Sequence, residues 1–223
     1  MTGRRVALVL VSHPDDAEIG MAMRLAHLSR TGTPVHVHCF TRGSPAQAEQ
    51  RLRECQAAGS VLGVHDYSFA DLPENHLSSR ISEINDATHQ LMQRLRPASV
   101  FTHFPGDQHP DHVATGTTVT ATAKREVPHI EQFRSPYSEG FQPNRIVLAD
   151  EGLWEIRQKA LSCFASQAQL PTEALEAAGR FGHHAHLHHR VTREYGELPY
   201  SEQFVLVREV QPMSLPDGRL DVS

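Results

Sequence analysis

Residues 6–11 (Val-Ala-Leu-Val-Leu-Val) are continuously apolar and rich in β-branched side chains, and Ser12-His13-Pro14-Asp15-Asp16 then breaks the run at once. A strand that is apolar on both faces has no side to give to water, so it belongs in the middle of a sheet covered on both sides. After Pro14, Ile19, Met23 and Ala26, with Leu25 and Leu28, recur at helical spacing as far as Arg30, and Gly32-Thr33-Pro34 ends that helix. Further strands are expected at 35–39, 67–70, 99–103, 145–149 and 204–207. Helices are expected at 46–62, 79–96, 110–125, 153–165 and 171–180. Alternation of this kind predicts the α/β class: a three-layer Rossmann-like fold with a mainly parallel sheet. One α/β domain should span 1–210, with a polar tail at 211–223.

Of the 223 residues, 39% are hydrophobic and 21% charged, which suffices to bury a core. A net charge of -5 gives no footprint for nucleic acid or an anionic membrane surface. No stretch approaches the roughly 18 apolar residues of a membrane span. The apolar run after Arg4-Arg5 is too short for a signal peptide and no cleavage site follows it. Cys39, Cys55 and Cys163 are widely spaced and form no CxxC, so reduced thiols in a cytoplasmic protein are expected. Nothing in the chain fixes its oligomeric state, and a homo-oligomer stays open.

The chemistry sits in two short stretches, Ser12–Asp16 after the first strand and Gln108–His112 after the fourth. In open α/β sheets ligands bind beyond the carboxyl ends of the strands, where strand order reverses. In the common 3-2-1-4-5 order, strands one and four are neighbours, so the two stretches should face each other across one crevice. Two imidazoles and a carboxylate suit zinc. A second carboxylate and a spare histidine remain for proton transfer. Pro110 fits a first helical turn, and His109 and His112, three apart, can share one side of it. Either stretch alone is as readily a turn with an aspartate helix cap; the two together favour a metal site. No GxGxxG follows the first strand and no GxSxG occurs, which speaks against dinucleotide binding and a serine hydrolase elbow.

His13-Pro14-Asp15-Asp16 and His109-Pro110-Asp111-His112 resemble the paired motifs of the zinc-dependent GlcNAc de-N-acetylase family, the LmbE-like or PIG-L-like proteins. Weaker agreement runs through Thr41-Arg42-Gly43, Pro143-Asn144, Ser166-Gln167 and Tyr200–Phe204. The resemblance implies one zinc per chain held by His13, Asp16 and His112. It implies Asp15 as the general base and His109 as the group that assists the oxyanion or protonates the leaving amine, with Asp111 orienting His109. The implied activity is hydrolysis of an N-acyl group, acetyl in the first instance, from a small amino-sugar derivative. Two features depart from many members: Ala17-Glu18 where glutamate directly follows the aspartates, and Gln108 where some carry a basic or aromatic residue. Arg42 and Gln108 are the candidate substrate contacts.

Two other readings stay in view. One keeps the chemistry and changes the substrate to a non-sugar amide or hydrazide. The other is a non-catalytic metal-binding protein using His183, His184, His186, His188 and His189, a tract as well explained by a solvated loop. Fe(II) would accept the same primary ligands as zinc. His103 and Asp71 end strands on the catalytic side, and Trp154 reads as core.

Overall fold

The computed structural model describes residues 6–167, 195 and 198–211. The expected helix at 171–180, the histidine tract at 183–189 and all but the first residue of the 211–223 tail lie outside that range. β1 (Ala7–Val11) is buried at every position and has β2 (Val35–Cys39) on one side and β4 (Ser99–His103) on the other, both parallel to it. β3 (Asp66–Phe69), β5 (His129–Phe133), β6 (Arg145–Ala149) and β7 (Tyr200–Glu209) complete one sheet of order β3-β2-β1-β4-β5-β7-β6. β7 runs antiparallel to both β5 and β6, so the sheet is mainly but not wholly parallel.

The helices α1 (Asp16–Arg30), α2 (Ala48–Leu62) and α5 (Glu151–Leu161) pack together on one face. α3 (Ile81–Leu95) and α4 (Pro110–Ala123) cover the other. Alternate residues of β1 feed the two cores: Ala7, Val9 and Val11 on the first side, Leu8 and Leu10 on the second. This is the three-layer arrangement that a strand apolar on both faces requires.

The expected neighbours, strands one and four, are adjacent, and the chain leaves β1 and β4 towards opposite edges of the sheet. The strand next to β4 was not foreseen. His129–Phe133 carries Glu131 and Gln132, and its pattern does not read as a buried strand. Glu131 is nonetheless fully buried, held by Arg145 at 3.1 Å, and Gln132 donates to Thr120 Oγ1 at 2.7 Å. The expected strand at 145–149 exists but lies at the far edge, and the last strand runs from Tyr200 rather than Phe204.

Two long-range contacts shape α1. At Met21 the backbone leaves helical geometry (φ -152°, ψ 31°), and Glu202 of β7 accepts from the N–H groups of Met23 and Arg24, both at 2.8 Å. A carboxylate from another strand thus caps the second half of the helix. Gly20, just before the kink, lies against the Phe133 ring, where a Cβ would come within 2.2 Å.

Candidate metal centre and active site

The chain after β1 is drawn tight. Asp15 has φ 107°, a left-handed conformation that costs a non-glycine residue on the order of 1–3 kcal/mol and persists only where surroundings impose it. They do: Asp16 Oδ2 accepts from His13 N–H at 2.7 Å, and Arg51 of α2 donates to Pro14 O at 2.6 Å and pairs with Asp15 Oδ2 at 3.0 Å. Asp15 precedes α1 but makes no side-chain cap. In α4 the capping residue is His109, not an aspartate: its Nδ1 accepts from Asp111 N–H at 3.2 Å. That bond fixes the tautomer, so neutral His109 carries its proton on Nε2.

The two stretches meet. Ser12 Oγ bonds Asp111 O at 3.1 Å and Thr115 Oγ1 at 2.9 Å, His13 Nε2 lies 3.1 Å from Asp111 Oδ2, and His112 Nε2 lies 3.2 Å from Asp16 Oδ1. Close approach of α4 to β4 requires Gly116, whose Cβ would fall 2.4 Å from the His103 carbonyl oxygen. The His103 and His112 rings stack at 4.1 Å.

His13, Asp16 and His112 are all buried, and one ligand atom from each lies within 4.8 Å of the others. Each imidazole has a carboxylate at its outer nitrogen: Asp111 at His13 Nε2, and Asp107 Oδ1 at His112 Nδ1, 3.3 Å away. The inner nitrogens, His13 Nδ1 and His112 Nε2, both face Asp16, at 3.3 and 3.2 Å. His112 Nε2 is buried with no aligned hydrogen bond. A carboxylate on the outer nitrogen of each ring, with the inner nitrogens converging on a third carboxylate, is a donor set that could hold a divalent metal once the rings give up their protons. His13, His109 and Asp111 also cluster. There, however, Asp111 is engaged by the N–H groups of Leu77 and Asn75 as well as by His13.

The electrostatics follow from burial and these pairings. Burial pushes His13 down, but Asp16 and Asp111 outweigh it and raise it to about 9. Burial likewise disfavours charge on His112, yet Asp16 and Asp107 raise it to about 10. Asp16 is held well below the carboxylate range, against its burial, chiefly by His112 and also by His13. Burial and the charge of Asp16 drive Asp15 up to about 8, with Arg51 opposing. A bound dication would pull Asp15 down again. Asp107 and Asp111 are both lowered despite burial, by His112 with Ser135 and by His13 with main-chain N–H groups. His109 is lowered by burial and by the charges on His13 and His112, which keeps it a neutral N–H donor.

The expected roles map unevenly. Asp111 reaches His109 only through its main chain; its carboxylate serves His13. Arg42 pairs with Asp71 at 3.4 Å in an exposed contact, and Gln108 bonds Glu139. The cation beside Asp15 is Arg51, which also lies 3.5 Å from Glu74 and was not singled out from sequence. Asp107, held by His109 N–H, Ser135 and Ser138, is a site residue that the sequence reading does not assign. An acid at the loop between a strand-end histidine and His-x-x-His was the available signal. His103, considered a neighbour of the site, is buried and neutral, pushed down to about 4 by burial and by His112, and its Nε2 accepts from Ser12 N–H at 3.1 Å. Glu18 is buried and accepts from Tyr67 OH at 2.7 Å, so it ties α1 to β3 rather than facing solvent at a helix end.

The α/β fold brings together, at the carboxyl ends of two adjacent central strands, a buried His/Asp cluster that could hold a metal ion. The profile of the GlcNAc-PI de-N-acetylase family, PIG-L, matches residues 8–123, and the chain belongs to that family. It is 27% identical over 166 residues to the uncharacterized deacetylase YaiS of Escherichia coli, covering 71% of this chain and 89% of that protein. It is 27% identical over 134 residues to a probable N-acetyl-alpha-D-glucosaminyl L-malate deacetylase 2 of Bacillus subtilis, covering 53% and 61% of the two. In fold it resembles the conserved protein TT1542 from Thermus thermophilus, with TM-score 0.75, 23% identity and coverage of 96% and 99%. The chain is a hydrolytic enzyme of the N-deacetylase type, acting on amides. No helix among the described residues is long and apolar enough to cross a membrane.

Proposed function

We propose that the protein hydrolyses the N-acetyl group of a small amino-sugar derivative, in a cytoplasmic setting, using one divalent metal, zinc, held by His13, Asp16 and His112. The observation that carries this reading is the pair of buried carboxylates, Asp111 and Asp107, each on the outer nitrogen of a histidine whose inner nitrogen faces Asp16. When bound, the metal would polarise the amide carbonyl and make water a better nucleophile near neutral pH.

The chain's own groups supply the proton handling. Asp15, fixed by Arg51, accepts a proton from the attacking water. His109, with Nδ1 engaged by Asp111 N–H, presents Nε2–H to the oxygen that gains charge as the amide carbon becomes tetrahedral. Protonated Asp15 then delivers its proton to the departing amine, which leaves poorly as an anion. The family assignment and the name of the Bacillus relative favour an N-acetylglucosaminyl conjugate as substrate class.

The test measures metal per chain and release of primary amine from N-acetylglucosamine conjugates, for wild type, Asp15→Asn and Asp16→Ala. Expected are about one zinc in wild type and Asp15→Asn, loss of metal in Asp16→Ala, and a fall of roughly 100- to 10,000-fold in rate for Asp15→Asn. Hydrolysis of non-sugar amides with every N-acetyl sugar refused would move the substrate class. Full metal in Asp16→Ala would remove the centre.

A further inference from the structure

β2 and β3 carry a second polar cluster, on the sheet face covered by α3 and sharing no residue with the metal centre. In their parallel pairing His36 lies opposite Asp66 and His38 opposite Ser68. His36 Nδ1 is 2.7 Å from Asp66 Oδ2, His36 Nε2 is 2.7 Å from Ser68 Oγ, and His38 Nδ1 is 2.8 Å from the same Oγ. A carboxylate only accepts, so the ring proton of His36 sits on Nδ1, which faces Asp66 in a close contact rather than an aligned hydrogen bond, and Nε2 accepts from the Ser68 hydroxyl. That hydroxyl has then given its one hydrogen and accepts from His38 Nδ1–H. The Asp66 contact thus orients both hydrogen bonds at Ser68, and His38 is left with a bare lone pair on Nε2.

That nitrogen is buried without a partner, in a residue 7% exposed. Its ring lines a cleft of about 310 Å3 together with Ser68, Ala87, Gln90, Leu91 and Arg94. Burial above all, with Arg94 adding to it, holds His38 down at about 4, so it stays neutral. Among the described residues no carboxylate pairs with Arg94. The cleft thus offers an unsatisfied acceptor on one side, an unpaired cation on the other, and an apolar wall of Ala87 and Leu91.

We propose that this cleft is a second binding site, for a small hydroxylated anion, whose hydroxyl donates to His38 Nε2 and whose carboxylate or phosphate pairs with Arg94. A single imidazole beside a guanidinium is no site for a metal cation. Asp66, His36 and Ser68 are connected as in a hydrolase triad, but the second imidazole donates onto Ser68 Oγ and blunts it as a nucleophile.

The test follows the histidine ring signals of the full chain by NMR at about pH 8, above the ordinary histidine range. The probes are glycerol 3-phosphate and D-glycerate, and the His38 signal is assigned by its absence in His38→Gln. A saturable shift of that signal is expected at roughly 1–10 mM. It should persist in Asp16→Ala, and weaken about tenfold or more in Arg94→Gln and with ethyl phosphate or propionate, which lack the hydroxyl. Response to glycerol 3-phosphate alone assigns a phosphate ester, and to glycerate alone a hydroxy acid. No shift with either probe, or equal binding by ethyl phosphate, propionate or Arg94→Gln, overturns the site.

Discussion

Asp107 and Asp111 flank the two histidines in the same way, yet replacing each with asparagine should have unequal consequences. Asp111 is fully buried and accepts three N–H groups: Leu77 at 2.9 Å, Asn75 at 2.6 Å and His13 Nε2 at 3.1 Å. An asparagine keeps one acceptor oxygen and turns an NH2 towards another donor, so at least one charge-assisted bond is lost and one buried N–H is stranded. At about 1.5–3 kcal/mol for the bond and 1–3 for the stranded group, Asp111→Asn should cost roughly 3 kcal/mol or more. In a chain of this size that is a fall in Tm of about 6–12 °C. Asp107 differs because Oδ2 meets only the hydroxyls of Ser135 and Ser138, which can rotate to accept from an NH2, while Oδ1 faces His109 N–H and His112 Nδ1. Asp107→Asn should therefore cost the metal-free chain less than Asp111→Asn, losing its pairing with His112 but stranding no main-chain N–H, and should lower metal affinity roughly 10- to 100-fold by removing the charge behind His112. Thermal melts in chelator and competition titration of zinc against a chromophoric chelator read both quantities. Equal melting losses in the two variants, or unchanged zinc affinity in Asp107→Asn, would refute the reasoning.

Three further outcomes are expected. His13 and His112, raised to about 9 and about 10, contribute stability to the metal-free chain that is complete below pH 6.5 and lost as pH rises through those values. Metal must displace the same protons, so zinc affinity should climb between pH 6.5 and 9; a flat profile in competition titrations would contradict the pairing with Asp16, Asp107 and Asp111. Arg51 opposes the rise of Asp15, so Arg51→Gln should move the acid limb of the kcat/KM profile up by roughly 1 pH unit or more, and an unmoved limb would sink the role given to that ion pair. Gly116→Ala forces a Cβ to 2.4 Å from the His103 carbonyl and should cost about 1–3 kcal/mol in denaturant unfolding, with deacetylation lost as α4 carries His109 and His112 outward; wild-type stability would mean the helix can shift freely.

Much of this protein is determined by local pattern. A six-residue run apolar on both faces places β1 at the centre of a covered sheet, and helical spacing after Pro14 and Pro110 places α1 and α4 behind the two motifs. Those motifs contain the residues that converge, because each lies directly at the end of a strand and needs only neighbouring strands to meet its partner. Periodicity carries no information about partners, and there tertiary structure decides. β5 hides Glu131 and Gln132 from a hydropathy reading, since a buried charge makes sense only once Arg145 is beside it. Arg51 looks like any basic residue on a helix until α2 is docked against Pro14 and Asp15. Asp107 and Asp111 differ in role because one faces rotating hydroxyls and the other fixed main-chain N–H groups, a distinction that exists only after loops distant in sequence have been brought to hydrogen-bonding range.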